Sequence, residues 1–152
     1  MLIEANRDTA LTLDIPVRSL PRIHTAKPRE KSRTAVHLSV VIPALNEAEN
    51  LKELLPRLDQ TLSNLARSFE VIVVCGPSND GTEDVARAQG ARVIRQAELG
   101  YGRALERGFR AARGSYILTL DGDLSHDPAF IEALWQARHH ADLVIASRYV
   151  GG

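Results

Sequence analysis

From His37 onward, short β-branched runs alternate with amphipathic helical stretches, and this alternation restricts the fold more than any other feature. Leu38-Ser-Val-Val-Ile42 and Val71-Ile-Val-Val74 read as strands buried on both faces. Between them Leu51, Leu54, Leu55, Leu58, Leu62 and Leu65 recur at helical spacing as one apolar stripe. Pro56 is expected to kink or split that helix, because it lacks the N–H that its turn requires. Asn46-x-x-Glu49 reads as a capping box for this helix, and Asp80-x-x-Glu83 as the cap of a second one ending at Gly90. Ala91 to Ile94 follows as a third strand. A helix over residues 102–113 buries Leu105, Gly108, Phe109 and Ala112 and stops at Gly114, and Tyr116 to Leu120 is a fourth strand. Asp127-Pro128 supplies an N-cap and a first-turn proline for a helix burying Phe130, Ile131, Leu134 and Trp135; Leu143 to Ala146 closes the series as a fifth strand. The order predicts an α/β fold with a mostly parallel, Rossmann-like sheet and helices on both faces. Ligands of such sheets bind beyond the carboxyl ends of the strands, so the loops there hold the candidate chemistry.

Composition narrows the function classes. A chain of 152 residues suits one domain, and 44% hydrophobic with 25% charged residues is ordinary globular composition. The net charge is zero and aromatics are 5%, which argues against a nucleic-acid partner. The single cysteine, Cys75, excludes an internal disulfide and a Cys-rich zinc site. No apolar run approaches the roughly 18 residues of a membrane span and no secretory leader is legible, so a cytoplasmic location is expected. Residues 1–36 differ from the rest. They carry Pro16, Pro21, Pro28 and a basic run from Lys27 to Arg33, sum to +3 against −3 for the remainder, and lack sustained periodicity. They read as a flexible basic N-terminal arm preceding a domain over 37–152, with peripheral contact to anionic lipid as its functional reading.

The fourth strand leads into Asp121-Gly122-Asp123-Leu124-Ser125-His126-Asp127. Carboxylates at i and i+2 on an extended segment point the same way, and a hard divalent ion such as Mg²⁺ or Mn²⁺ relieves their repulsion. Gly122 leaves room for a ligand. An EF-hand is excluded, since His126 stands where glycine is required and a strand rather than a helix precedes. Pro43-Ala44-Leu45-Asn46-Glu47 follows the first strand, and the turn-rich Cys75-Gly76-Pro77-Ser78-Asn79-Asp80-Gly81-Thr82 follows the second. The backbone N–H groups of the latter are candidates to meet a phosphate or a base edge. Gly100-Tyr101-Gly102-Arg103 lacks the third glycine of a dinucleotide fingerprint; as a small loop it would bring Arg103 over a diphosphate.

Taken in order, the segments Val40-Val-Ile-Pro-Ala-Leu-Asn-Glu-Ala-Glu-Asn-Leu51, Leu120-Asp-Gly-Asp-Leu-Ser-His-Asp-Pro128 and Ser147-Arg-Tyr-Val-Gly-Gly152 resemble the family-2 inverting glycosyltransferases, most closely the dolichyl-phosphate mannose synthase branch of polyprenyl-phosphate glycosyltransferases. The resemblance covers residues 38–152 and implies the N-terminal half to two-thirds of a GT-A nucleotide-diphospho-sugar transferase fold. By it, Pro43, Ala44, Asn46, Glu47, Gly76, Ser78, Arg103 and Gly122 contribute to the nucleotide-sugar pocket. Asp121 and Asp123 hold the metal, Mg²⁺ or Mn²⁺, and the donor diphosphate, and Arg148 lies near the acceptor phosphate or the diphosphate. The donor is GDP-mannose, with a UDP-sugar as the alternative. The acceptor is a polyprenyl phosphate at the cytosolic face of a membrane.

The chain departs from the family in two places. Where two acidic residues and a glycine are usual after the second strand, this chain has Cys75, Gly76 and Pro77. Cys75→Asp is therefore expected to tighten nucleotide binding. The family also continues beyond the position of Gly152 into a strand that inserts beside the fourth, so the chain is expected to leave a sheet edge open and to turn over poorly on its own. A non-catalytic nucleotide-sugar-binding module, or transfer to a different acceptor, is the competing reading. A nucleotidyltransferase ranks below both, because the loop after the first strand is acidic and has no glycine.

Overall fold

The computed structural model describes Leu2–Glu4, residues 36–66 and residues 68–146. Its strands are β1 (Leu2–Glu4), β2 (Leu38–Ala44), β3 (Phe69–Cys75), β4 (Arg92–Arg95), β5 (Tyr116–Thr119) and β6 (Leu143–Val144); its α-helices are α1 (Ala48–Leu65), α2 (Thr82–Ala88), α3 (Tyr101–Ala111) and α4 (Ile131–Ala137), the last preceded by a 3₁₀ turn over Pro128–Phe130. They form one sheet in the order β4-β3-β2-β5-β1-β6. The β2–β3, β2–β5 and β3–β4 pairs are parallel, as the alternating pattern predicts.

Strand parity sorts the core into two layers. Leu38, Val40, Ile42 and Ala44 of β2 and Val73 and Cys75 of β3 face the leucine stripe of α1, together with Ala86 of α2 and Ile131, Leu134 and Trp135 of α4. Val41, Ile72 and Val74 face the other way, against Ala104, Leu105 and Phe109 of α3. α3 lies alone on its face because it carries the chain back from β4 to β5 across β3 and β2, and a right-handed crossover in that direction needs the opposite side. α1 runs unbroken through Pro56, contrary to the expected split. Pro56 is exposed, so the carbonyl of Lys52, freed by the missing N–H, faces water rather than the core.

Gly114, where α3 was expected to stop, is fixed by close approach. A Cβ there would stand 2.6 Å from Ser39 N and 2.8 Å from Tyr116 O, backbone atoms that cannot rotate aside. Its own N–H donates to Ser39 Oγ at 2.9 Å, and that hydroxyl donates to Glu70 Oε1 at 2.8 Å. Gly114→Ala is expected to cost about 3 kcal/mol in urea unfolding; a change below a tenth of that would mean β2 and the turn after α3 are not this close.

The open edge does not occur. β1 pairs antiparallel with β5 (Leu2↔Leu118, Ile3↔Ile117, Glu4↔Tyr116) and with β6 (Leu2↔Val144, Ile3↔Leu143). The reading of residues 1–36 as a flexible arm thus fails for Leu2–Glu4. Three residues are too few for a period to be legible, and the ladder partners lie more than a hundred positions away. The basic run Lys27–Arg33 lies outside the described residues.

Candidate nucleotide-binding site

A cavity of about 420 Å³ opens beyond the carboxyl ends of the parallel strands. Pro43, Ala44, Leu45 and Glu47 from the end of β2, Val74 and Gly76 from β3, Gln96 after β4, Leu99, Gly100, Tyr101 and Ala104 around the start of α3, and Asp121, Gly122 and Asp123 after β5 line it. Its β2, β3 and α3 walls are mostly apolar, and its β5 side is acidic.

Two loops are bolted together to make the floor. Asn46 turns through the left-handed region (φ 56°), which asparagine tolerates. Its backbone N–H donates to Ser78 Oγ at 3.0 Å, and its Oδ1 accepts from Asn79 N at 3.1 Å. Glu47 N donates to Thr82 Oγ1 at 2.9 Å and Ala48 N to Asp80 Oδ2 at 3.0 Å. The first amides of α1 are therefore capped from the second loop rather than by an Asn46–Glu49 box, and α1 has no side-chain cap of its own. Asp80 Oδ1 also accepts from Thr82 N at 3.0 Å and Thr82 Oγ1 at 2.5 Å. The Thr82 hydroxyl above all, then the Ala48 amide, holds the Asp80 carboxyl below its ordinary value.

Asp80→Ala removes this shared acceptor and is expected to cost about 1–2 kcal/mol, the scale of a lost helix cap. Because its folded pKa is depressed, Asp80 contributes its stability above the ordinary aspartate pKa and loses it as pH falls through the folded value. Wild type and variant should therefore converge in thermal melts below about pH 3; an unchanged gap there would contradict the assignment.

At the acidic side, Asp123 Oδ1 accepts from Ser125 N at 2.9 Å. Hydrogen bonding from Ser125, side chain first and backbone second, keeps the Asp123 carboxyl low and so ionised at neutral pH. Tyr101 Oη donates to Asp121 Oδ1 at 2.8 Å. Burial first, and then this bond, pushes the Tyr101 phenol up to about 12, so it remains a donor. Leu124 turns through φ 61°, a conformation costly for a branched side chain, directly after Asp123. A Cβ on Gly122 would touch Pro43 O at 3.4 Å and Glu47 Cγ at 3.6 Å, so this glycine brings the carboxylates close against the end of β2.

The donor set suits a hard divalent ion. Asp121 and Asp123 both line the cavity, and among the described residues no group of three or more His, Cys, Asp or Glu side chains is gathered to enclose a metal. Two carboxylates leave most of a shell to phosphate oxygens and water, the usual manner of Mg²⁺ and Mn²⁺.

The cavity thus gathers Pro43, Ala44, Glu47, Gly76, Asp121, Gly122 and Asp123 from the residues anticipated in the sequence. Asn46 and Ser78 serve the loop junction instead, and the Asn79 and Thr82 amides are already bonded within it rather than free for a phosphate. Arg103 is not in the lining; it pairs with Glu98. Arg148 lies outside the described residues. Cys75 is 2% exposed and packs into the α1-side core, so Cys75→Asp would not enter the pocket; Gly76 is the cavity-facing position. Burial raises the thiol to about 11, leaving it protonated and inert. Tyr101 and Gln96 were missed as lining residues. Tyr101 between two glycines was the available signal, whereas nothing local distinguishes Gln96.

A parallel α/β sheet with an apolar, acid-ended cavity at its switch point defines a nucleotide-binding domain. Glycosyl transferase family 2 matches residues 39–152, and the chain belongs to that family. It is 39% identical over 121 residues to the dolichol-phosphate mannosyltransferase of Pyrococcus furiosus, covering 76% of this chain and 34% of that protein. It is 35% identical over 107 residues to the undecaprenyl-phosphate 4-deoxy-4-formamido-L-arabinose transferase of Aeromonas hydrophila, covering 66% and 33%. The crystal structure of glucosyl-3-phosphoglycerate synthase from Mycobacterium tuberculosis, in complex with Mn²⁺, UDP and glucosyl-3-phosphoglycerate, superposes with a TM-score of 0.56 at 31% identity, covering 68% of this chain and 39% of that one. The chain spans about a third of the length of these two relatives. Among the described residues no helix is long and apolar enough to cross a membrane.

Proposed function

We propose that this chain carries the nucleotide-sugar site of a glycosyltransferase that moves a sugar, with inversion, from a nucleoside-diphosphate donor to a polyprenyl phosphate. The observation that carries the reading is the cavity itself, with apolar walls at the ends of β2 and β3 and the Asp121/Asp123 pair on its β5 side. The polyprenyl-phosphate transferases among the relatives support the acceptor class, and mannose in the name of one supports GDP-mannose as donor.

Asp121 and Asp123 would hold Mg²⁺ or Mn²⁺, which offsets the charge that grows on the departing diphosphate. Asp123 is kept ionised for that task by Ser125, and the Tyr101 hydroxyl orients Asp121. Leu45, Val74 and Leu99 form the apolar wall against which a base would stack. In a single displacement, an acceptor phosphate oxygen forms the bond to the anomeric carbon while the bond to the diphosphate oxygen breaks. The acceptor is already an anion near neutral pH, so the step needs no protein base, whereas a sugar hydroxyl would. Arg148 is the proposed contact to the acceptor phosphate, and the cytosolic membrane surface the proposed place of action.

Calorimetric titration of GDP, UDP, GDP-mannose and UDP-glucose, with and without Mn²⁺, tests the reading. Metal-dependent binding of one nucleotide is expected. No binding of any of them by protein with its native melting transition would defeat it.

A further inference from the structure

Gln96 is only 4% exposed, yet its Oε1 has no hydrogen-bond partner among the described residues. Both ends of this residue are otherwise committed. Its backbone N–H donates to Cys75 O at 2.8 Å, continuing the β3–β4 ladder by one step. Its side-chain Nε2 donates to Gly100 O at 3.0 Å and to Glu98 O, which uses both amide hydrogens and fixes which atom of the amide is the free one. Buried polar atoms are satisfied almost without exception, and a vacant acceptor in a cavity wall points to a ligand that completes it.

Its place in the fold says which part of a ligand. Gln96 follows β4 and Asp121 follows β5, and β3 and β2 lie between, so three strand spacings, roughly 14 Å, separate the two sides of the cavity. Phosphates belong at the acidic side. The Gln96 side, beside Val74, Leu99 and the side-chain-free Gly76, suits a flat, mostly apolar ring. We propose that Gln96 is the base-reading residue, its Oε1 accepting a hydrogen bond from the ring N–H of uracil or guanine in a bound nucleoside diphosphate. This rests on the nucleotide-sugar reading above and extends it to base choice. An acceptor-only group selects for a ring N–H (uracil N3–H, guanine N1–H). It opposes the ring lone pair that cytosine and adenine present at the equivalent edge, where two acceptors would face each other.

The test is titration in Mn²⁺ of UDP and GDP, of 3-methyluridine and 1-methylguanosine diphosphates, which lack the ring N–H, and of CDP and ADP. Wild type, Gln96→Ala and Asp121→Asn/Asp123→Asn proteins are compared. The nucleotide that wild type prefers should weaken about tenfold or more on N-methylation, the scale of a buried acceptor left unpaired, and CDP and ADP should be weaker by a similar factor. In Gln96→Ala the contrast between the parent and the methylated base should fall below about twofold, because the acceptor is gone and the methyl group has room. If Gln96 only pins the 98–100 loop, the variant weakens every ligand equally and keeps the methylation contrast, which overturns the proposal. Should Gln96→Ala not fold, the wild-type contrast decides alone, and its absence overturns the proposal too. Binding that depends on Asp121 and Asp123 but ignores the ring N–H removes base reading while leaving the nucleotide site standing. Binding of none of the six defeats both.

Discussion

Asp121→Asn/Asp123→Asn protein is expected to lose metal-dependent nucleotide binding by at least about 100-fold while keeping its fold, since each substitution removes a charge without removing volume. The site makes the asymmetry of the effect predictable. The first member of the pair holds the Tyr101 hydroxyl and the second the Ser125 amide, and both neutral partners remain able to donate to an asparagine oxygen. The loss should therefore appear in the titration with Mn²⁺ and be absent from the titration without it, and the urea midpoint should move little. Equal binding of GDP or UDP by wild type and variant in Mn²⁺ would show that the acidic side of the cavity does not hold the diphosphate.

Aspartate substitutions at two adjacent positions should behave oppositely. Cys75→Asp is expected to destabilise the protein by about 3–5 kcal/mol at neutral pH, because the carboxylate would replace a thiol that is 2% exposed among Val73, Ala44 and the α1 leucines. The penalty applies to the ionised form. A carboxyl whose folded pKa is raised retains its stability below the unfolded aspartate pKa, near 4, and loses it as pH rises through the folded value, so the variant should recover toward acid. Gly76→Asp places the same group in the cavity, where a Cβ meets only the mobile end of Leu45 at 3.1 Å, and Leu45 is 45% exposed. Its stability should change by no more than about 1 kcal/mol, and its effect should fall on nucleotide affinity instead. A Cys75→Asp protein as stable as the parent would put that side chain on the cavity face and reverse the strand's facing.

The contrast between those neighbours marks where sequence reading stopped. Val71 to Val74 is apolar at every position, so nothing in it tells which parity meets α1 and which meets α3. The expectation for Cys75 failed for that reason, since a strand covered on both faces carries no alternation to read. The capping failure has a different cause. Asn46 and Glu49 have the right spacing for a local box, but the amides at the start of α1 find Ser78, Asp80 and Thr82, more than thirty residues away, which only the parallel β2–β3 register brings alongside. Gln96 was invisible because its one distinguishing property, a buried and unpartnered carbonyl, is created by its surroundings.

What the sequence by itself determined was everything carried by period and punctuation. The leucine stripe of α1, the β-branched runs, Gly114 after α3 and Asp127-Pro128 before α4 state which segments are strands or helices. The βα alternation states that the sheet is parallel, and hence that Asp121 and Asp123 stand at its ligand-binding end. Tertiary structure alone decided the facing of β3, the bolting of the two loops beneath the cavity, and the entry of Leu2–Glu4 between β5 and β6. The physical reason is the same in each case: local patterns encode what a segment can bury or cap within one or two turns, whereas the partner that satisfies it is set by chain-distant packing.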